Sequence, residues 1–369
     1  MTLEDIALQF TPGIGVKGAV HLLETFGDAP RIFAATLEEL TGRAQLRPDL
    51  AQQIVRRKGF AAAEKELAYC RRNGIEVIAS TDPAYPPLLR ETPDYPAVIY
   101  VQGDASVLKT RCLSMVGTRD ATPYGQTLCN RLVEELAQRV PDLAIVSGLA
   151  FGIDVAAHRA ALAAGIPTVA VVANPLPGVT PAQHAGVARD LLAHGGALVT
   201  ELHSQTRQNG SFYLARNRII AALSAGCVVV ESAAGGGSLV TAHYADSYNR
   251  TLMAVPGRAT DPKSAGTNHL IRTQKALCVC TADDIIRALD WDLGADPATL
   301  RPEVSTPQLT PDEEGLLGCF RTDDPLSVET LHELTNLDPG RMAALLLGLE
   351  MAGAVRQLPG NRYMKLKWN

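Results

Sequence analysis

The sequence is poor in aromatics, 5% of 369 residues, and poor in lysine, with 8 Lys against 26 Arg. It has no apolar run of membrane-spanning length, so no membrane partner is expected. Its start, MTLEDIALQF, lacks the basic residues and apolar stretch of a secretory leader. The seven cysteines form no CxxC and no disulfide framework, which suits a reducing cytoplasm. Cys278 and Cys280, two apart on an expected strand, read as buried small apolar residues rather than metal ligands. A net charge of −5 excludes a diffuse nucleic-acid coat but allows a focused basic groove. Arginine forks suit phosphates and base stacking, although a GC-rich genome gives the same bias. One absence is local: between Glu201 and Glu231 there is no Asp or Glu, while Arg207, Arg216 and Arg218 all lie there.

What is present is a globular composition, 46% hydrophobic and 20% charged. Residues 1–74 read as a small helical domain of the SAM or helix-hairpin-helix kind. Leu3, Ile6, Ala7 and Phe10 share one helix face, and Gly27 suits a C-cap after Leu22, Leu23 and Phe26. Gly13-Ile14-Gly15 is either a phosphate-facing turn or a packing turn. One helix is expected over 48–73. From Ile75 short β-rich runs follow, EVIAS to ALCVC, and most of the later ones are unbroken apolar stretches, as strands covered on both faces require. Helical patterns over 124–139, 155–164, 182–194, 215–224 and 239–248 separate them. This alternation predicts an α/β fold, a Rossmann-like doubly wound mostly parallel sheet over 75–293, with ligands beyond the C-terminal strand ends. A linker rich in Pro, Thr, Asp and Ser, 294–308, leads to 309–369. Three helical patterns and a hairpin turning at Pro359-Gly360-Asn361 predict a winged helix there.

Three strand ends carry glycine turns. In VGTRDATPYG, Gly117 turns the backbone and Arg119 projects, either as a phosphate contact or as a solvated side chain. In SGLAFGIDVAAHRAAL, Gly148 and Gly152 flank a loop that opens a helix, where amides suit an anion. It matches neither GxGxxG nor Walker A. Asp154 and His158 have acid/base spacing, although a first-turn Asp serving the helix start is the simpler reading. His158 and Arg159 remain candidates to face a ligand. In ESAAGGGSLVTAHYA, Gly235, Gly236 and Gly237 precede Ser238, which is placed as an N-cap. Three glycines cost backbone entropy that a mere packing turn does not require. No Lys follows them, so a triphosphate grip lacks its charge. Phe212 and Tyr213 stand just before Arg216-Asn217-Arg218, and cations beside aromatics are the chemistry of single-strand binding. One of the two aromatics is expected in the core.

VGTR…YG, SGLAFGID, TEL…ARNRIIAALS, GGGSLVTA, VPG and GTNHLIR, in this order, resemble the DNA-processing protein A (DprA, also called Smf) family, over about 82–276. The resemblance implies a non-catalytic protein, without cofactor or metal, that binds single-stranded DNA in a basic pocket. It also implies a homodimer that protects incoming DNA and helps load RecA recombinase in natural transformation. The implied pocket comprises Gly117, Thr118, Arg119, Gly148, Gly152, Arg216, Asn217, Arg218, Gly237, Ser238, Thr241 and His243. For base stacking the family's aromatic position falls on Tyr213, with Phe212 beside it as the other candidate. His243 stands where the family often has Lys, which lowers the charge there and adds pH sensitivity.

The alternative is a nucleotide-binding or nucleotide-hydrolysing enzyme of the lysine-decarboxylase-like Rossmann group. That group uses PGGxGTxxE, whereas Ser238 to Ala245 here holds no carboxylate. A third option is a duplex-reading winged helix. Its recognition helix, 339–351, carries only Arg341 as a cation against Glu350. The small domain therefore reads as a protein-contact or auxiliary module.

Overall fold

The computed structural model describes residues 1–291, 309–320, 325–352, 354–358 and 360–365. They form two compact units, divided between Leu293 and Gly294, and the expected linker, 294–308, lies outside the described residues. The first unit begins with helices α1 (Leu3–Phe10), α2 (Val16–Phe26), α3 (Ala29–Ala34), α4 (Leu37–Gly42), α5 (Pro48–Val55) and α6 (Phe60–Arg72). Thr2 with Asp5 and Thr36 with Glu39 form capping boxes, and Gly27 ends α2 at φ 95°. Gly13 takes φ 82°, and a Cβ there would come within 2.4 Å of the Leu50 side chain. The single helix expected over 48–73 is two helices. Gly59 lies so close to α1 that a Cβ would sit 2.1 Å from the Ala7 carbonyl oxygen, and Arg57 takes φ 51° at the break.

Nine strands follow: β1 (Glu76–Ala79), β2 (Val98–Gly103), β3 (Arg111–Gly117), β4 (Leu143–Ser147), β5 (Thr168–Val171), β6 (Ala197–Thr200), β7 (Gly226–Glu231), β8 (Thr251–Ala254) and β9 (Leu277–Cys278). They make one sheet in the order β1-β2-β6-β5-β4-β3-β7-β8-β9. The β1–β2 and β2–β6 pairs are antiparallel and the others parallel. Helices α7 (Pro87–Arg90), α8 (Pro123–Arg139), α9 (Ile153–Ala163), α10 (Ala185–Ala193), α11 (Ser211–Ala215), α12 (Asn217–Ala222), α13 (Ser238–Ser247), α14 (Ala265–Arg272) and α15 (Ala282–Ala288) connect the strands or follow them.

Helices cover both faces, so β4, β5, β6 and β7 are buried along their whole length. Alternate strand residues serve opposite cores. Leu113, Ile145 and Val228 pack with Leu132 and Leu136 of α8 and Ala157 of α9, whereas Val116, Val146 and Val229 pack with Ile219 of α12 and Ala242 of α13. The helical bundle joins the sheet through polar contacts as well. Tyr100 donates to Gln9 (2.7 Å), and buried Glu66 accepts from the Ser204 amide (2.8 Å). From β3 the chain winds outward through β4, β5 and β6, then returns to β7 on the other side of β3. The crevice beyond that switch point is where open α/β sheets hold ligands.

Cys278 and Cys280 are exposed, contrary to expectation. Cys278 ends β9, the sheet edge, Cys280 lies just beyond it, and Val279 between them takes the inward position. Among the described residues no helix is long and apolar enough to cross a membrane.

The second unit contains α16 (Pro311–Leu317), α17 (Val328–Thr335) and α18 (Pro339–Met351), with a sheet β10 (Leu326–Ser327), β12 (Arg362–Lys365), β11 (Val355–Leu358) in that order. Leu316, Phe320, Leu331, Met342 and Leu346 are its core. This is the winged-helix layout. Gly360 and Asn361 turn the hairpin at φ 87° and 50°, and Pro359 lies outside the described residues. Arg341 is ion-paired with Asp312.

Candidate nucleic-acid interface

The loop after β3 is held on three sides. Glu231, at the end of β7, is 2% exposed. Its carboxylate accepts from the Thr122 amide (2.8 Å) and hydroxyl (2.6 Å), and its carbonyl accepts from the Thr118 amide (2.7 Å). Gly152 lies against the same loop at φ 76°, where a Cβ would be 2.1 Å from the Thr118 carbonyl oxygen. Lys263 donates to the Asp120 carbonyl (2.8 Å) and pairs with the Asp120 carboxylate. So fixed, the loop presents Arg119 exposed, with its guanidinium 5.5 Å from the Tyr213 ring centroid. That is cation–π range.

Arg216 is buried instead. Its Nη1 donates to the Val171 carbonyl at the end of β5 (2.5 Å). Its guanidinium occupies the space beside Gly148, where a Cβ would come within 1.9 Å of Nη1. Gly148 thus makes room for an arginine. Burial raises the Asp154 carboxyl above the usual range, and Arg216 opposes that rise. His158, one turn further along α9, is fully buried with Nδ1 2.7 Å from the Thr168 hydroxyl, and burial pushes it down to about 3. It stays neutral in the core, so the expectation that it faces a ligand is corrected. Arg159 lines a separate groove with Asn130 and Glu134 of α8.

Arg218 is also committed. It forms an ion pair with Glu201 and lies 4.0 Å from Asp94, which accepts from the Tyr248 hydroxyl. Burial raises the Glu201 carboxyl and Arg218 counters it. The stretch is acid-free along the chain, yet both bracketing glutamates fold back, Glu201 onto Arg218 and Glu231 onto the Arg119 loop.

At the third turn Gly237 is the N-cap and Ser238 the first helical residue, one position from the expected cap. The Ser238 hydroxyl donates to that of Ser232 (2.9 Å), and Asn217 Nδ2 donates to the Gly237 carbonyl (3.5 Å). Of the three glycines only Gly236 has a close neighbour, a Cβ there meeting Ser232 Oγ at 2.4 Å, whereas Gly235 and Gly237 face open space.

These segments converge on a cavity of about 370 Å³ lined by Val116, Gly117, Thr118, Arg119, Ala150, Asp154, Tyr213, Leu214, Arg216, Asn217, Ile220, Gly236, Gly237, Ser238 and Thr241. Gly148, Gly152, Phe212, Arg218 and His243 are not among the lining residues. Of the two aromatics, Tyr213 is the one in the cavity, and contrary to expectation neither is in the core, both being half-buried. His243 is exposed on α13. Sequence reasoning missed Glu231 as the anchor of the Arg119 loop. The signal was an acid closing an otherwise apolar strand, CVVVE.

Fold and site together define a Rossmann-like protein with an arginine-bearing cavity at the switch point of its sheet. Residues 76–290 match the family described as DNA recombination-mediator protein A, and residues 301–361 match the DprA winged helix domain. The chain belongs to the DNA recombination-mediator protein A (DprA) family. It is 34% identical to Protein Smf of Escherichia coli (strain K12) over 310 residues, 82% of this chain and 81% of that protein. The X-ray structure of DprA from Streptococcus pneumoniae is similar with a TM-score of 0.67 at 27% identity, covering 78% of this chain and 98% of that one. The DprA structure from Helicobacter pylori, reported for its single-stranded DNA binding mode, gives a TM-score of 0.53 at 27% identity, covering 59% and 96%.

Proposed function

We propose that the cavity binds single-stranded DNA, one nucleotide entering it while the backbone passes Arg119. The observation that carries this reading is Arg119 itself, exposed over the Tyr213 ring at the cavity mouth. A cation and an aromatic so placed take a phosphate and a base together. The Helicobacter pylori relative, reported for its single-stranded DNA binding mode, supports the reading. The implied pocket list narrows to the lining residues, with Gly148, Gly152 and Arg218 in supporting roles. In this role the protein protects incoming DNA, helps load RecA recombinase and works as a homodimer in the cytoplasm. The winged helix acts as a protein-contact module, in keeping with the pairing of Arg341 to Asp312.

The test is competition between labelled oligo-dT and unlabelled duplex of equal length. A base in a duplex is paired and stacked on both faces and is not free to stack on Tyr213, so duplex should compete poorly. Equal competition contradicts the proposal.

One observation favours a second reading, a nucleotide-hydrolysing enzyme: Asp154 brings a carboxylate into the cavity. Glu231, the other nearby acid, is occupied by Thr122. Release of adenine from AMP by the protein, lost in Asp154→Asn, would establish it. No release is expected.

A further inference from the structure

The loop joining β4 to α9 holds one aromatic out in solvent. Leu149 takes φ 56° and buries its side chain completely. A left-handed conformation is uncommon outside glycine and persists only where surrounding contacts impose it. Gly152 turns the chain back at φ 76°. Between them Phe151 is 46% exposed, and its neighbour Ala150 lines the cavity. The Phe151 ring is braced. It meets His184 edge-on, with centroids 4.8 Å apart and planes at 64°. His184 is buried and donates through Nδ1 to the Leu149 carbonyl (2.7 Å).

The direction of this projection matters. β4 and β5 lie on the side of β3 away from the glycine loop that follows β7. The segment carrying Tyr213 comes from that same side, out of β6. Within it Gln208 donates to Thr180 (3.4 Å), in the segment after β5, and Arg207 is exposed. An exposed, braced aromatic next to a cavity-lining residue has the parts of a stacking platform.

We propose that Phe151 is a second base-stacking site, which takes a nucleotide flanking the one in the cavity and directs the strand across the ends of β4 and β5. This rests on the single-strand reading above. Every base has a π face, so the stack tolerates any sequence.

The test uses the 369-residue chain and labelled oligo-dT of about 4–16 nucleotides, followed by fluorescence anisotropy. Phe151→Ala should match wild type on the shortest oligomer that binds and lose roughly tenfold affinity on the longer ones. Phe151→Trp should restore it. Arg119→Ala should weaken binding at every length, so a wild type that fails to bind, or an unaffected Arg119→Ala, points to the cavity reading and not to Phe151. Equal loss at all lengths in Phe151→Ala, or no loss at any, overturns the proposal. Photo-crosslinking of wild type with 5-iodouracil at successive positions is independent of how well the variants fold. A crosslink to Phe151 is expected, and crosslinks confined to Tyr213 overturn the proposal.

Discussion

Replacing Arg218 with alanine should lower stability and leave the salt dependence of DNA binding unchanged. The Arg218 side chain is 8% exposed and its partners Glu201 and Asp94 are 14% and 21% exposed. Removing it strands Glu201 without its cation, which for a buried pair costs about 3–5 kcal/mol. The partial exposure of Asp94 favours the lower end. About 3 kcal/mol corresponds to a fall in Tm of roughly 6 °C in a unit of this size. The loss also depends on pH. Burial already holds the folded Glu201 pKa above its unfolded value, and Arg218 restrains that rise. Without Arg218 it rises further, so the folded state gains protons more readily and stability recovers as pH falls through it. The deficit is therefore larger at pH 8 than at pH 5. Urea denaturation at both values, with a salt titration of oligo-dT binding, measures all three effects. Unchanged stability with a salt slope reduced by about 0.7 would refute the reasoning, because it would mean that Arg218 leaves its carboxylates and reaches a phosphate.

His158 gives a second pH signature. Its folded pKa of about 3 lies below the ordinary 6.5, so stability present above 6.5 is lost as pH falls towards 3. The full difference is roughly 5 kcal/mol, and urea midpoints at pH 7 and pH 4 should show a smaller decline in His158→Gln. Gly152→Ala places a Cβ 2.1 Å from the Thr118 carbonyl oxygen at φ 76°. It should destabilise by more than about 1 kcal/mol and weaken oligo-dT binding by displacing the Arg119 loop. Asp154→Asn removes a carboxylate from the cavity, so anisotropy at pH 7 should show tighter oligo-dT binding. Wild-type binding should strengthen as pH falls towards the raised Asp154 pKa, and the variant should lack that dependence.

The strands were legible because their signal is local. Runs such as LAIV and CVVV are apolar throughout, and the structure buries every residue of both. The winged helix was equally readable from its helical patterns and its Gly360-Asn361 turn. What the sequence concealed depends on partners distant along the chain. The helix expected over 48–73 breaks where Gly59 meets Ala7 of α1. Arg218 looked available because Asp94 lies far upstream. Cys278 and Cys280 looked buried because strand order, which puts β9 at the edge, is not written locally. The glycines misled in one respect. Gly148 accommodates the Arg216 guanidinium, and a motif cannot distinguish that from an anion cradle. The choice between Phe212 and Tyr213 likewise turned on the short helix α11, which brings Tyr213 to the cavity wall.

The claim that Arg119 at the cavity mouth meets a DNA phosphate is tested most directly by the salt dependence of oligo-dT affinity in wild type and Arg119→Ala. Loss of one phosphate contact should make the log–log slope shallower by about 0.7 and weaken binding most at low salt. Identical slopes, with Arg119→Ala binding as tightly as wild type throughout, would contradict it.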